Sequence, residues 1–200
     1  MKGLVVTVAL LVFCGAALAG DRGAGIFADQ CAACHGTAGL LMDTPILHGQ
    51  EPAYLVKSLT AFKNGTRTDR IMMRMNAIAE GLSDDDMQAV ASYLAGQDPC
   101  DLNITINYRR EGVKQAFVAG RERYKRSNCG HCHESFHHYA PRLIGQKAGF
   151  LSAALAEFST GTRVAPMMAN LLKDWTADDY SNVVTYLSGM RLMRSCAADQ

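Results

Sequence analysis

The stretch Cys31-Ala-Ala-Cys-His35 recurs further along the chain as Cys129-Gly-His-Cys-His133. Each copy is followed by a Pro-x-Leu-x-Gly-Gln segment, which begins at Pro45 and again at Pro141, and then by Phe-x-x-Gly-Thr-Arg. The offset between the copies is 98 residues at the first pair, 96 through the middle and 93 at the end. Such ordered similarity along nearly the whole chain predicts two homologous domains of about 80 to 90 residues each.

The spacing places a first domain at residues 20–98, a linker at 99–108 and a second domain at 109–200. Pro99 stops the helix that precedes the linker. Ser83 and Thr176 read as helix N-caps, because acidic residues follow each of them. Apolar residues at helical spacing predict an all-α fold, with helices over residues 23–28, 52–63, 87–95, 117–126, 147–159 and 180–190.

The Cys-x-x-Cys-His spacing is the attachment motif for c-type haem. In such a motif the thiols form two thioethers with the haem vinyl groups, so Cys31 and Cys34 would hold one haem c, and Cys129 and Cys132 a second. The histidine that follows would lie under the iron as its proximal ligand. Two covalent haem c groups, with His35 and His133 on their irons, are therefore the predicted cofactors.

Two other chemistries use closely spaced cysteines. A zinc site needs two further Cys or His ligands; the first domain offers only His48 nearby, while the second offers His131, His137 and His138. A thioredoxin-like redox pair needs a βαβ context, which the sequence does not indicate. Haem attachment explains both copies at once, since each occurs at the same place in a repeated domain.

The sixth iron ligand is expected to be a methionine, because His/Met ligation raises the reduction potential and suits electron transfer. Six residues separate Met75 from Leu82, which precedes one N-cap, and six separate Met168 from Trp175, which precedes the other. This common register selects Met75 and Met168. Other candidates are Met72, Met73, Met167, His137 and His138.

The proline of each Pro-x-Leu-x-Gly-Gln segment follows the motif histidine closely. A ligating imidazole donates its second nitrogen to an acceptor that fixes the ring, and a proline keeps its carbonyl although it lacks an N–H. We therefore expect the carbonyls of Pro45 and Pro141 to accept from His35 and His133.

The N-terminus has the pattern of a secretory signal peptide over residues 1–19. Lys2 precedes an uncharged apolar run that ends in the small-x-small site Ala17-Leu-Ala19, and the run is too short for a membrane span. A lipoprotein anchored through Cys14 is the alternative, although bulky Phe13 disfavours it. The sequence thus predicts a periplasmic protein without a membrane span in its mature chain.

Two cysteines outside the motifs, Cys100 and Cys196, each follow the last predicted helix of a domain. An oxidising compartment favours a bond between them. Tandem domains need not bring these two ends within the roughly 7 Å between Cα atoms that a disulfide requires. Both outcomes stay open.

Formal charge divides unevenly between the halves of the chain. Residues 20–100 contain six Lys/Arg and ten Asp/Glu, whereas residues 102–200 contain thirteen and eight. The basic cluster at residues 121–126 lies just before the second motif. We expect an acidic redox partner to approach this side, and a secreted, nearly neutral chain is not expected to bind nucleic acid.

Taken together, the paired motifs, the doubled Pro-x-Leu-x-Gly-Gln and the methionine before a Leu-Ser-Asp helix start resemble the dihaem cytochrome c4 family over residues 23–190. The resemblance implies two tandem class I cytochrome c domains whose haems face each other, with iron ligands His35/Met75 and His133/Met168. The second domain departs from the family pattern at Glu134, where glycine is usual.

The function that this resemblance implies is electron transfer between redox proteins and not catalysis on a substrate. One form is a free shuttle from membrane oxidoreductases toward a terminal oxidase. The other is the haem subunit of a larger oxidoreductase, such as a flavocytochrome c sulfide dehydrogenase, which would take electrons from a flavoprotein subunit. Native mass distinguishes the two.

Overall fold

The computed structural model describes residues 22–36, 44–69, 73–99, 112–134 and 140–189. Its regular structure in these ranges is helical, without a strand, and the all-α prediction is confirmed. We call residues 22–99 the first half and residues 112–189 the second half. The helices are α1 (Ala32–His35), α2 (Pro52–Lys63), α3 (Arg74–Glu80), α4 (Asp84–Ala95), α5 (Val113–Arg126), α6 (Gly130–His133), α7 (Ala148–Thr160), α8 (Pro166–Leu172) and α9 (Ala177–Gly189).

The predicted N-caps are in place. The Ser83 hydroxyl accepts from the backbone N–H of Asp86, and the Asp86 carboxylate accepts from the backbone N–H of Ser83, which forms a complete capping box at the start of α4. Thr176 and Asp179 repeat both contacts before α9. Each box satisfies two helix-end donors that would otherwise lack partners.

Each half has its own apolar core. In the first half Leu55 of α2 packs with Val90 and Leu94 of α4. In the second half Tyr124 of α5 and Leu151 of α7 pack on the buried face of α9. The two cores agree with the predicted repeat, because each forms from corresponding helices.

The two halves enter their cysteine motifs differently. In the first half residues 22–26 are helical and continue into a π-helical stretch, Phe27–Cys31, which leads directly into α1. In the second half α5 ends at Arg126, and Asn128 turns the chain with a φ of +53° before α6. The second half has one more residue in this region, and asparagine tolerates the left-handed conformation that accommodates it.

Both methionine segments form short helices that were not predicted from the sequence. Met75 lies in α3 and Met168 in α8. The other observed helices differ from the predictions by a few residues at their ends; α4 and α9, for example, begin earlier than expected, at Asp84 and Ala177. Among the described residues no helix has the length and apolar character needed to cross a membrane.

The Pro-x-Leu-x-Gly-Gln segment forms the same turn in both halves. Gly49 and Gly145 have φ values of +63° and +72°, which favour glycine over residues with a side chain. Their N–H groups donate to the carbonyls of Leu94 and Leu187, at 2.8 Å in each case. Each turn is therefore attached to the last helix of its own half.

The glutamine that ends each segment reaches into the opposite half. Gln146 accepts from the N–H of Ile46 at 2.8 Å and donates to the Ile46 carbonyl at 3.0 Å. Gln50 does the same with the backbone of Arg142, at 2.6 and 3.2 Å. Both glutamines are buried. The two halves therefore meet through a reciprocal, nearly symmetric contact of their proline loops.

Replacing Gln146 with leucine is expected to destabilise the protein by roughly 2–4 kcal/mol. The change removes three hydrogen bonds, two with the backbone of Ile46 and one from the N–H of Lys147. It leaves the buried N–H and carbonyl of Ile46 without partners, which costs about 1–3 kcal/mol per group. Chemical denaturation of the haem-loaded protein measures the loss.

The matched control is Gln115→Leu, because Gln115 is an exposed glutamine on α5. Its effect should stay within about 0.5 kcal/mol. Equal stability of the two variants would show that the cross-half contact contributes little.

Candidate haem sites

The histidine of the first motif is held by the proline loop. His35, at the end of α1, is buried, and its Nδ1 lies 2.9 Å from the carbonyl oxygen of Pro45. A carbonyl can only accept, so Nδ1 carries the proton and Nε2 has a free lone pair. Burial lowers the pKa of His35, opposed by the Pro45 contact, so the imidazole is neutral at pH 7.

The second motif repeats this arrangement. Nδ1 of His133 lies 2.8 Å from the carbonyl oxygen of Pro141. Burial again lowers the pKa of His133, and the proline contact opposes the shift. Both motifs therefore present a neutral imidazole whose orientation is fixed from behind, which is the form that binds a metal.

All four motif cysteines are half-buried free thiols. Burial raises the pKa of Cys31 to about 11, with a further contribution from Cys34, and burial raises the pKa of Cys129 to about 11. The Cys31 and Cys129 thiols therefore stay protonated at neutral pH. A thiolate pair for zinc or for disulfide exchange needs the opposite shift.

A large cavity in the first half fits a flat apolar macrocycle. Cys31, Cys34 and His35 line it, together with apolar residues that include Leu55, Phe62, Ile78 and Leu94. Two thiols and one free imidazole nitrogen face an apolar space, which is the donor set that a covalently attached haem requires.

The two described methionines of each segment differ in exposure. Met75 lies on the cavity wall and is partly buried, whereas Met73 is 56 % exposed. In the second half Met168 is partly buried and Met167 is 64 % exposed. Met72, His137 and His138 lie outside the described residues.

Asn76, which the sequence reasoning missed, anchors the helix that carries Met75. Its side chain donates to the carbonyls of Phe62 and Arg67, at 2.8 and 2.9 Å, and accepts from the N–H of Asp69 at 2.9 Å. The Asp69 carboxylate in turn accepts from the N–H of Met75 at 3.3 Å. The repeat gave no signal for Asn76, because the corresponding residue of the second half is Ala169. Its position next to Met75 was the one feature of the sequence that pointed to it.

The alternative metal chemistry finds no support in the part of the chain that the structure describes. No group of three His, Cys, Asp or Glu side chains there could hold a metal ion. The βαβ context of a thioredoxin is also missing from these ranges. Cys14, Cys100 and Cys196 lie outside these ranges, so the question of a bond between Cys100 and Cys196 stays open.

Comparison with known proteins gives a consistent result. The family model described as Cytochrome c matches residues 20–98. Cytochrome c-552 of Acidithiobacillus ferridurans is 32% identical, covering 80% of this chain and 74% of that protein. Cytochrome c4 of Pseudomonas aeruginosa is 30% identical, covering 86% of this chain and 90% of that protein.

A shorter match is the cytochrome subunit of sulfide dehydrogenase from Chlorobaculum tepidum, which is 37% identical over 32% of this chain and 56% of that protein. Among solved structures, cytochrome c4 of Acidithiobacillus ferrooxidans aligns with a TM-score of 0.66 at 28% identity, over 80% of this chain and 99% of that chain. With the fold, the repeat and the relatives in agreement, this chain belongs to the cytochrome c4 family of dihaem electron-transfer cytochromes and carries two covalently bound haem c groups.

Proposed function

We propose that each haem is held by its own motif and that both haems have the same arrangement of ligands. Cys31 and Cys34 form the first pair of thioethers, with His35 and Met75 on the iron and the Pro45 carbonyl fixing the imidazole. The second set consists of Cys129, Cys132, His133, Met168 and Pro141. The observation that carries this proposal is the paired contact of each histidine Nδ1 with its proline carbonyl, at 2.9 and 2.8 Å.

The attachment sites can be tested by intact mass together with haem staining of a denaturing gel. We expect two haem additions on a chain that begins near Gly20. Replacing both thiols of the first motif with alanine should remove one addition and leave the second. A variant that keeps both additions, or a wild type with only one, would contradict the proposed sites.

We propose that the chain consists of a signal peptide at residues 1–19, domains at 20–98 and 109–200, and a linker at 99–108. The helices support it, since α4 ends at Ala95 and α5 begins at Val113. We propose a periplasmic location on the basis of the N-terminal pattern. N-terminal sequencing of the periplasmic fraction tests both, and a chain that begins at Met1 would refute cleavage.

For the physiological role we propose a free shuttle that carries electrons from membrane oxidoreductases toward a terminal oxidase and has no catalytic activity of its own. The likeness to cytochrome c4 along most of the chain favours it. The second candidate, a haem subunit of a larger oxidoreductase, is favoured by the shorter match to a sulfide dehydrogenase subunit. Native mass after mild purification decides: a shuttle runs at its own monomer or dimer mass, whereas a subunit copurifies with another chain.

The C-terminal turn of α5 provides a basic surface for an acidic partner. Arg123, Lys125 and Arg126 lie there, and Lys125 and Arg126 are exposed. We expect electron exchange with an acidic redox protein to slow roughly tenfold as ionic strength rises, since the Debye length is about 10 Å at 0.1 M. Stopped-flow kinetics across a salt series measures the effect.

The double change Lys125→Glu and Arg126→Glu should lower the rate at low salt and flatten the salt dependence. The matched control reverses two charges in the first half, at Lys57 and Lys63. It should leave the dependence of the electron-exchange rate on ionic strength nearly unchanged. A wild-type rate that does not respond to salt would argue against this surface.

A further inference from the structure

Arg142 is a buried arginine in the contact between the two halves. It is 8 % exposed, and its guanidinium donates to the carbonyl of Ile144 at 3.1 Å, to that of His48 at 2.8 Å and to that of Gly49 at 3.2 Å. Two of these three acceptors belong to the first half. Three of the five N–H donors of the group are thereby used on backbone carbonyls.

The repeat shows why there is only one such arginine. Arg142 corresponds to Ile46, and Ile144 corresponds to His48. One guanidinium therefore bridges two equivalent carbonyls across the pseudo-twofold relation of the loops, while its counterpart Ile46 is 2 % exposed and apolar. A second arginine at position 46 would place two cations in one buried contact, and such like charges repel strongly. The contact is symmetric in its backbone and asymmetric in its charge.

The charge of Arg142 is not neutralised by a carboxylate of the described residues. The ion pairs in those ranges join other arginines to acids, as in Arg22–Asp86 and Arg123–Asp179. Burial lowers the pKa of Arg142 to about 10. That value is well above 7, so the guanidinium remains a cation at neutral pH.

Arg142 belongs to the second half but lies on the wall of the first-half cavity, together with Pro141 and Gln146. Glu157, the acid that the second half adds to the same wall, faces Arg67.

We propose that Arg142 is a positioning and tuning residue that acts across the two halves and raises the reduction potential of the haem in the first half selectively. The inference rests on the proposed function, in which Cys31, Cys34, His35 and Met75 hold that haem. A ferric centre carries one more positive charge than a ferrous centre, so a nearby cation in a poorly screened interior favours the reduced state. Across the contact from the second motif the corresponding residue is the apolar Ile46, so we expect a smaller effect on the second haem.

The test is a redox titration of three variants of the haem-loaded protein. Arg142→Gln removes the charge and keeps an N–H donor, and Arg142→Lys keeps the charge and loses the planar fork. Arg121→Gln is the control, because the Arg121 side chain is 44% exposed and paired with Glu122. The titration step of the first half is assigned with Met75→His, which shifts that step alone.

We expect Arg142→Gln to reduce the reduction equilibrium constant of the first haem about tenfold, which is a fall of 59 mV for a one-electron couple. The reduction equilibrium constant of the second haem should change less than threefold. In the Lys variant and in the Arg121 control, the equilibrium constants of both haems should change less than threefold. Equal shifts of both haems, no shift, or a Lys variant that behaves like the Gln variant would overturn the proposal.

Arg142→Lys keeps the test decisive if the Gln variant fails to mature. If Arg142 acts only through its hydrogen bonds, the potential of the first haem should change in the Lys variant. If Arg142 acts through its charge, that potential should stay unchanged. Failure of the ligand proposal has a separate signature. It would appear as a missing haem addition or a spectrum without methionine ligation in the wild type, whereas failure of the Arg142 proposal leaves mass and spectrum intact.

Discussion

Met75→His is expected to lower the reduction potential of the first haem by on the order of 100 mV or more. A thioether ligand favours ferrous iron, and the identity of the axial ligand spans roughly 0.8 V among haem proteins. The helix α3 keeps this position on the cavity wall, with Asp69 accepting from the Met75 N–H. Redox titration with visible spectroscopy measures the shift, and the second haem should not change.

Met73→His is the matched control, since Met73 is two residues away and 56 % exposed. It should leave the spectrum and both potentials as they are. The pair Met168→His and Met167→His repeats the design in the second half, where Met167 is 64 % exposed. An unchanged potential in Met75→His, with a shift in Met73→His, would transfer the ligand role to Met73.

Gly23→Ala is expected to destabilise the protein by about 3 kcal/mol. A Cβ at this position would lie 2.3 Å from the backbone oxygen of Ala89 and 2.8 Å from the Cβ of Tyr93. Backbone atoms of α4 cannot rotate away, so the helices must separate, and overpacking of this kind costs typically 1–3 kcal/mol and occasionally more. Denaturant unfolding of the haem-loaded protein measures the change in free energy.

Gly25→Ala is a control only two residues away on the same helical segment. A Cβ there meets nothing within 4 Å, so alanine should stabilise the helix by up to roughly 1 kcal/mol. In the second half Gly120 corresponds to Gly23, and a Cβ there would lie 1.9 Å from the backbone oxygen of Asn182. Equal effects of Gly23→Ala and Gly25→Ala would disprove the close helix contact.

Several features could be predicted from the sequence because they depend on local spacing. The Cys-x-x-Cys-His motifs, the N-caps Ser83 and Thr176 and the helix Pro52–Lys63 require only neighbouring residues. The repeat then indicated that both halves share one fold. The contact of His35 with Pro45 was expected because a ligating imidazole needs an acceptor for its second nitrogen, and it is present at 2.9 Å.

Other features escaped prediction because their partners lie far along the chain. The helices α3 and α8 have only seven residues each, too few for a helix that is stable by itself. Tertiary contacts, such as those that Asn76 makes with the carbonyls of Phe62 and Arg67, hold α3 in place. Short helices in general depend on such packing.

The sequence by itself determined the chemistry, since two thiols and a histidine at motif spacing specify haem attachment wherever they occur. It also determined the number of sites and the helical class. Tertiary structure alone decided how the two halves meet. The hydrogen bonds of Gln50 and Gln146 span about one hundred residues, and Arg142 faces carbonyls of the opposite half. The reason is physical: a buried polar group must find its partner in space, and no local pattern encodes which distant backbone will be there.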